Sequence, residues 1–237
     1  MLWSKVIGAG GLGGETDIYW SDVSLLMKSD GTNGSTTITD SSSNVLTLAA
    51  VGNAQISTST VKFGSGSVSL DGSGDYINAS DPTVLNFGTG DYTLEGWFNF
   101  TSIATDRGLF AKFSTVSGTR GINLRYAPSV SGLRLVVGGT TTVLAQNGSF
   151  TPTLGDWYHV AYTNSASNHR VFVNGSSVIA SSSNVGNIDT AVDFLIGSAQ
   201  TVSNSDFYGF IDEVRVTKGV ARYTANFTPP TAPFPTS

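Results

Sequence analysis

The sequence predicts an all-β protein, a two-sheet antiparallel jelly-roll sandwich, and three observations carry that expectation. Short stretches with apolar residues at alternate positions recur along the chain, separated by Gly, Asn, Asp and Ser turn signals. Charged residues make up only 12% of the 237 residues while glycine occurs 28 times, a texture unlike that of a helical protein. No internal repeat of about 20 to 50 residues is evident, which sets propellers and solenoids aside.

Taken in order, residues 1–19 form a Gly-rich N-terminal arm, in which Gly8, Gly10, Gly11, Gly13 and Gly14 follow Leu2, Trp3, Val6 and Ile7. It reads either as a flexible arm carrying a small apolar anchor or as a terminus that packs on its own domain. The glycines interrupt any apolar run of signal-peptide length, and no stretch approaches membrane-spanning length, so a protein made and left in a cytosol is expected.

Residues 20–228 read as one domain. Its clearest strands are "DVSLLM", "GSVSL", "DYTLEGWFNF", "GLFAKF", "GINLRYA", "LRLVVGG", "DWYHVAYTN", "HRVFVNGSSVIA", "VDFLIGS" and "GFIDEVRVT". In "YTLEGWFNF", Leu94, Gly96, Phe98 and Phe100 share one face and Thr93, Glu95, Trp97 and Asn99 the other, a half-buried alternation. Asn174-Gly175 between two alternating runs predicts a tight hairpin, because both residues tolerate positive φ. Residues 229–237, with Pro229, Pro230, Pro233 and Pro235, predict an extended C-terminal tail.

Several function classes are excluded or weakened at this level. A net charge of −5 supplies no basic field for phosphates, so neither nucleic acid nor an anionic membrane is an expected partner. The absence of cysteine removes disulfides and thiolate chemistry, and with only His159 and His169 a transition-metal site is not expected. Sandwich glucanases carry two carboxylates at alternate positions of one strand. None of the three glutamates, Glu15, Glu95 and Glu213, has a neighbouring acid at i+2 or i+4 on its strand, and Glu95 and Glu213 read as solvent-facing strand residues. His159 alternates with Trp157 and Ala161 as a packed structural histidine, whereas His169 is expected to be exposed.

Hard-cation chemistry needs only oxygen ligands on loops. "SDGTNGSTTITDSSSN" carries Asp30, Asn33, Asp40 and Asn44, and "LDGSGDYINASD" carries Asp71, Asp75, Asn78 and Asp81; both read equally as Asx-rich turns. Near the end, Asp212, Glu213, Arg215, Lys218 and Arg222 place five charges in eleven residues. Period two sets Tyr208, Phe210, Val214 and Val216 on one face, with Asp212 among them. A carboxylate facing a core needs a cation or hydrogen-bond donors, so Asp212 either ligates an ion or accepts hydrogen bonds from a loop over its edge. Arg215, Lys218 and Arg222 are expected on a solvated rim.

Through "LLMKSDGTNGSTTITDSSS", "KFGSGSVSLDGSGDYI", "DYTLEGWFNF", "WYHVAYT", "RVFVNGSSV" and "GFIDEVRVTKGVARYTANFTPPTAPFP", the chain resembles the laminin-G-like, concanavalin A-type jelly rolls, in particular those encoded by tailed bacteriophages, including cyanophages. The resemblance implies two antiparallel sheets with the first and last strands close together. It also implies a structural calcium near that edge, with Asp30, Asp40 and Asp212 as its ligands and main-chain oxygens completing the shell. For function it implies a non-enzymatic virion protein, a capsid decoration or tail appendage assembled in the host cytoplasm in many copies. Such a protein would dock to other virion proteins through its arm and show a lectin-like face to host-surface glycans. The alternative is a carbohydrate-binding module of a bacterial surface or secreted protein, for which Tyr126, Trp157, Tyr158 and Tyr208 are the aromatic candidates, each better explained by core or rim packing.

Overall fold

In the computed structural model, residues 16–80, 83–114, 120–140, 142–199, 202 and 204–237 are described. Their strands are β1 (Val23–Met27), β2 (Thr37–Thr39), β3 (Thr47–Val51), β4 (Gln55–Ser57), β5 (Ser67–Asp71), β6 (Tyr76–Ala79), β7 (Tyr92–Phe100) and β8 (Arg107–Phe113). There follow β9 (Gly121–Ala127), β10 (Gly132–Gly138), β11 (Val143–Ser149), β12 (Trp157–Ser165), β13 (Asn168–Val173), β14 (Ser176–Ser182), β15 (Phe194–Ile196) and β16 (Tyr208–Lys218). They form two antiparallel sheets. One runs β14-β13-β12-β7-β16-β5-β4 with β1 also on β16; the other runs β11-β10-β9-β8-β15-β6-β3-β2. This is the two-sheet sandwich the sequence predicts.

Apolar side chains from the facing sides of both sheets make one core, in which Leu94, Phe98 and Phe100 of β7 meet Phe110, Leu124, Phe194 and Phe207. Phe98 and Phe110 sit edge to face at 5.3 Å, an arrangement the ring quadrupoles favour. Asn174 (φ 46°) and Gly175 (φ 75°) turn β13 into β14 as their sequence demands.

Beyond the core the outer face of the first sheet is not open to water. Thr93, Glu95, Trp97 and Asn99 point there, and all are buried. The predicted parity of β7 is therefore right and the predicted half-exposure is not. The reason is a roof made by residues 16–22, the loop at 57–63 and the C-terminal segment: Phe63 packs on Trp97, while Tyr223, Phe227 and Phe234 surround His159. Phe234, in the proline-rich segment 229–237, is 3% exposed and lies 3.9 Å from the Arg215 guanidinium. The main-chain N–H of Asp17 donates to the carbonyl of Ser237 at 2.7 Å. Of the segment 1–19, residues 1–15 lie outside the described residues.

The last strand departs from simple alternation. Asp212 pairs with Trp97 but Arg215 pairs with Glu95, so two residues of β16 have no place in the ladder, and Glu213 adopts a left-handed φ of 48°. This bulge reverses the parity. Before it, Ile211 faces the core; after it, Val214 and Val216 do. Asp212 thus points away from the core, onto the outer face under the roof, contrary to the period-two reading. The bulge also marks a change of neighbours, since Tyr208–Ile211 pair with β5 and Val214–Thr217 with β1. The first and last strands do meet.

Candidate functional site

The three carboxylates suggested for calcium each have donors of their own. Asp40 accepts from the main-chain N–H groups of Leu26, Ser42 and Leu46 and from the Ser42 hydroxyl. Asp30 accepts from the N–H and hydroxyl of Ser65. Asp212 accepts from the N–H groups of Lys62 and Phe63, at 3.1 and 3.0 Å, and from Glu213 N–H at 2.8 Å. Its two possible roles resolve into the second: a loop caps it. N–H dipoles aimed at a carboxylate do the work a cation would do and point their positive ends where that cation would sit. Among the described residues no three His, Asp or Glu side chains gather so as to hold a metal ion. These residues therefore do not fit a calcium cage. In the second segment, Asp75 accepts from Asn53 and Asp71 N–H groups and Asp71 from Ser73 N–H, which is turn chemistry; Asp81 lies outside the described residues.

Of the charges expected at a solvated rim, Lys218 is exposed there, whereas Arg215 is buried and Arg222 half-buried. Glu95 is fully buried and accepts from Arg215 (2.8 Å), from Tyr223 hydroxyl (2.8 Å) and from His159 Nε2 (3.2 Å). Arg215 and Arg222 both reach Asp17, Arg222 through two parallel N–H donations at 2.9 and 2.7 Å. Burial pushes Glu95 upward, but Arg215 beside it, with His159 and Arg222, outweighs this and holds the carboxyl well below the usual range. Arg215 is 5% exposed, His169 is 1% exposed and Glu213 is 1% exposed, so all three expectations of exposure are corrected. The cause is common to them: residues remote in sequence cover strands that alternation alone would leave half wet. Every strong donor and acceptor in this cluster but His159 Nδ1 is matched within the protein, which makes it a clamp joining both ends of the chain to the sheet.

One opening borders this cluster, lined by Asp17, Arg215, Arg222 and Tyr223 among others, and further ones lie elsewhere. On the outer face of the second sheet, β6 turns Ile77 and Ala79 into the core and Tyr76 and Asn78 outward. The segment after β15 lies across this face, approaching so closely that a side chain at Gly108 would meet the backbone of Ser198 and Ala199. Between that segment and β6 runs a trough of about 630 Å³, lined by Tyr76, Asn78, Asp193, Ser198, Asn204 and Asp206 among others. Its polar groups are fixed before any ligand arrives. Asn78 Nδ2 donates to Asp193 at 3.0 Å, Ser198 hydroxyl donates to Asp206 at 2.8 Å, and Gly74 N–H donates to the other Asp206 oxygen at 2.8 Å. Asn78 Oδ1 is buried beneath this surface and has no partner. The lining carries acceptors and no lysine or arginine, a surface suited to hydroxyl donors.

None of the four aromatic candidates lines this trough. Tyr126 is buried against Phe100, Tyr158 packs on Phe150 and accepts from Thr153 N–H, Trp157 is half-buried on β12, and Tyr208 lies under the Arg107 guanidinium. Asn78 was legible only as one of the oxygen ligands of "LDGSGDYINASD"; Tyr76, Asp193 and Asp206 carried no local signal.

A two-sheet antiparallel jelly roll of this kind is the architecture of the concanavalin A-like domains. The chain belongs to the concanavalin A-like lectin/glucanases superfamily, in its laminin-G type, matched over residues 71–222. Among solved structures it is similar to the binding domain of Paraclostridial Mosquitocidal Protein 1 (TM-score 0.69, 14% identity, 86% of this chain and 50% of that one). It is also similar to domain 4 of AbnA, an extracellular arabinanase of Geobacillus stearothermophilus, in complex with arabinotriose (TM-score 0.60, 19% identity, 84% and 93%). A third is the receptor binding domain of the botulinum neurotoxin C/D mosaic serotype (TM-score 0.59, 13% identity, 85% and 49%). The chain spans about half the length of the two toxin domains, and at these identities the likeness is one of fold. No curated protein sequence matches the chain.

Proposed function

We propose that this domain is a non-catalytic carbohydrate-recognition module that takes a neutral oligosaccharide in the trough between β6 and the segment after β15. The observation that carries the reading is the acceptor-lined trough: Asp193, oriented by Asn78, and Asp206, oriented by Ser198 and Gly74, keep lone pairs for ligand hydroxyls beside the half-buried Tyr76. The arabinotriose complex of the AbnA domain, nearly all of which this chain covers, supports a neutral oligosaccharide as the ligand class. Asp193 and Asp206 serve as acceptors for protein donors, which suits binding rather than acid catalysis.

The finer part of the proposal is the setting. The motif resemblance supports a virion protein of a tailed phage, docked to its neighbours through residues 1–19 and present in many copies, so that weak contacts add up. A module of a bacterial surface or secreted protein is the second reading, and the extracellular arabinanase relative favours it. Titration calorimetry with arabinotriose and laminarin oligosaccharides tests the ligand class. Saturable binding, weakened at least tenfold by the paired change Asn78→Ala and Asp193→Ala, is expected; silence toward every neutral oligosaccharide would sink the reading. Cleavage of laminarin would restore a hydrolase.

A further inference from the structure

The sheet edges differ in how they are finished. An edge strand offers unpaired N–H and C=O groups to any other chain, and proteins blunt it with charge, proline, a bulge, brevity or a covering segment. On the first sheet, residues 34–35 bond the outer side of β4, through Gly34 N–H to Ile56 carbonyl and Ile56 N–H to Ser35 carbonyl. Ser41 N–H bonds Leu26 of β1, while β14 shifts register against β13 and gives Ser177 N–H to Asn226 Oδ1. On the second sheet, β2 has only three residues. At the other end of that sheet β11 carries none of these devices. Its seven residues, "VLAQNGS", include no charge and no proline, and they pair with β10 in unbroken register.

Two hydrogen bonds fix which groups of β11 are free. Phe150 N–H donates to Ser131 carbonyl, and Gly139 N–H donates to Thr142 carbonyl. Bonded pairs alternate along an antiparallel ladder, so the even-numbered residues of β11 bond β10. The N–H and C=O groups of Val143, Ala145, Asn147 and Ser149 therefore point off the sheet, and among the described residues nothing bonds them. The same four residues put their side chains on the outer face, where all are exposed, Val143 to 42%.

That face gathers positive charge in a chain whose net charge is −5. Leu133, Leu135 and Val137 of β10 face the core, which turns Arg134 outward, directly opposite Arg125 of β9 and beside Asn147 of β11. A side chain at Gly138 would meet the Cβ, Cγ and Cδ atoms of Arg120, so Arg120 lies over β10 next to Val143. Arg125 is held by Asp106 and by Asn123 Oδ1. Arg120 and Arg134 have no hydrogen bond or ion pair among the described residues. Arg134 Nε is sealed against the sheet, but its terminal nitrogens, neither bonded nor sealed, face solvent. Like charges directly opposite on neighbouring strands destabilise a sheet, and here one carboxylate serves two guanidiniums.

We infer that β11 takes an extended acidic peptide segment of a partner protein as an added strand, with carboxylates at positions i and i+4 meeting Arg134 and Arg120. Arg134 and Gly138 are four residues apart along β10, about 13 Å, and an added strand would lie about 4.8 Å outside β11. Its residues i and i+4 share the outer face and reach the guanidiniums across the short side chains of Ala145 and Asn147. Main-chain bonds to β11 supply attachment, and the arginines select the charge of the partner. A second copy of β11 is disfavoured, because it would bring further arginines to this face and no carboxylate.

The experiment is fluorescence anisotropy of the full chain with the labelled peptide Thr-Glu-Thr-Val-Thr-Glu-Thr. Saturable binding is expected, about tenfold weaker for Thr-Lys-Thr-Val-Thr-Lys-Thr. Arg134→Glu should reverse that preference. Ala145→Pro removes one N–H that points off the sheet and leaves the bonds to β10 in place, so it should also cost about tenfold. Wild type should lose as much toward the acidic peptide N-methylated at its Glu and Val amides, which decides the matter should Ala145→Pro fail to fold. No binding, equal binding of the acidic and lysine peptides, or acidic binding that survives N-methylation overturns the inference. A concentration-dependent dimer in sedimentation that Ala145→Pro abolishes assigns the edge to a second copy and also overturns it. Failure of oligosaccharides to bind at the trough leaves this result unaffected.

Discussion

Two groups of buried carboxylates sit on the same outer face of the same sheet, and they are held in opposite ways. Glu95 and Asp17 meet two guanidinium groups, a histidine and a tyrosine hydroxyl. Asp212 and Glu213, one strand away, meet mainly main-chain N–H groups: Lys62, Phe63 and Glu213 for the first, Phe234 for the second. Glu95 is held below its ordinary range. Burial raises Asp212 and Glu213, outweighing the N–H bonds, and both are pushed up to about 7. Burial is common to both groups, so the difference lies in the partners: full countercharges offset desolvation, while amide dipoles offset only part of it.

The largest effect expected from breaking this contrast is that of Glu95→Ala. Arg215 would remain buried without its main countercharge, at a cost of about 3–5 kcal/mol, read from urea unfolding. A cost below about 1 kcal/mol would mean that water replaces the carboxylate and that the cluster is no clamp. Next comes Phe234→Ala, which strips the ring from the Arg215 guanidinium and removes part of the roof. About 3 kcal/mol is expected, with Trp97 fluorescence reporting the opened face.

The pH dependence sharpens the comparison, because the two groups act in opposite directions. For Asp212 and Glu213 the folded values lie above the ordinary 3.8 and 4.5, so their favourable contribution is complete below about pH 4 and is lost as pH rises toward 7. Charges facing them are Glu213 and Lys62 for Asp212 and Lys28, Asp30 and Arg215 for Glu213. For Glu95 and Asp17 the folded values are depressed, so their contribution is present above pH 4.5 and is lost as pH falls below it. His169, held low by burial, loses its contribution as pH falls below its ordinary 6.5. The difference between wild type and Glu213→Gln isolates the share of Glu213: the variant should show a shallower decline between pH 4 and 7, with Asp212 supplying what remains. An unchanged slope in that window would show that Glu213 is charged throughout. The smallest effect concerns calcium: since N–H donors fill the places a cation would need, chelator should leave the melting temperature unchanged. A lowered one would return Asp30, Asp40 and Asp212 to a metal site.

Much of the fold was legible because period-two patterning and turn chemistry are local. The Asn174-Gly175 hairpin, the parity of β7 and the meeting of β1 with β16, the last through family likeness, were all readable before the structure. What failed was non-local. A bulge at Glu213 inverts the assignment of Asp212, and nothing in "GFIDEVRVT" marks it, since glutamate rarely takes a left-handed φ. Glu95, Arg215 and His169 read as exposed because the segments that cover them lie up to 198 residues away, as with Asp17 and Arg215. The trough was invisible for the same reason: Asn78 and Asp193 are 115 residues apart, and each alone is an ordinary polar residue.

The irregularity in β16 works as a phase shifter. By slipping one position it lets a single central strand hand its outer edge from β5 to β1 while both halves keep greasy side chains inward. Any length change there, a lost or gained codon, would throw one half of that strand inside out, so this site tolerates replacement far better than it tolerates insertion or deletion.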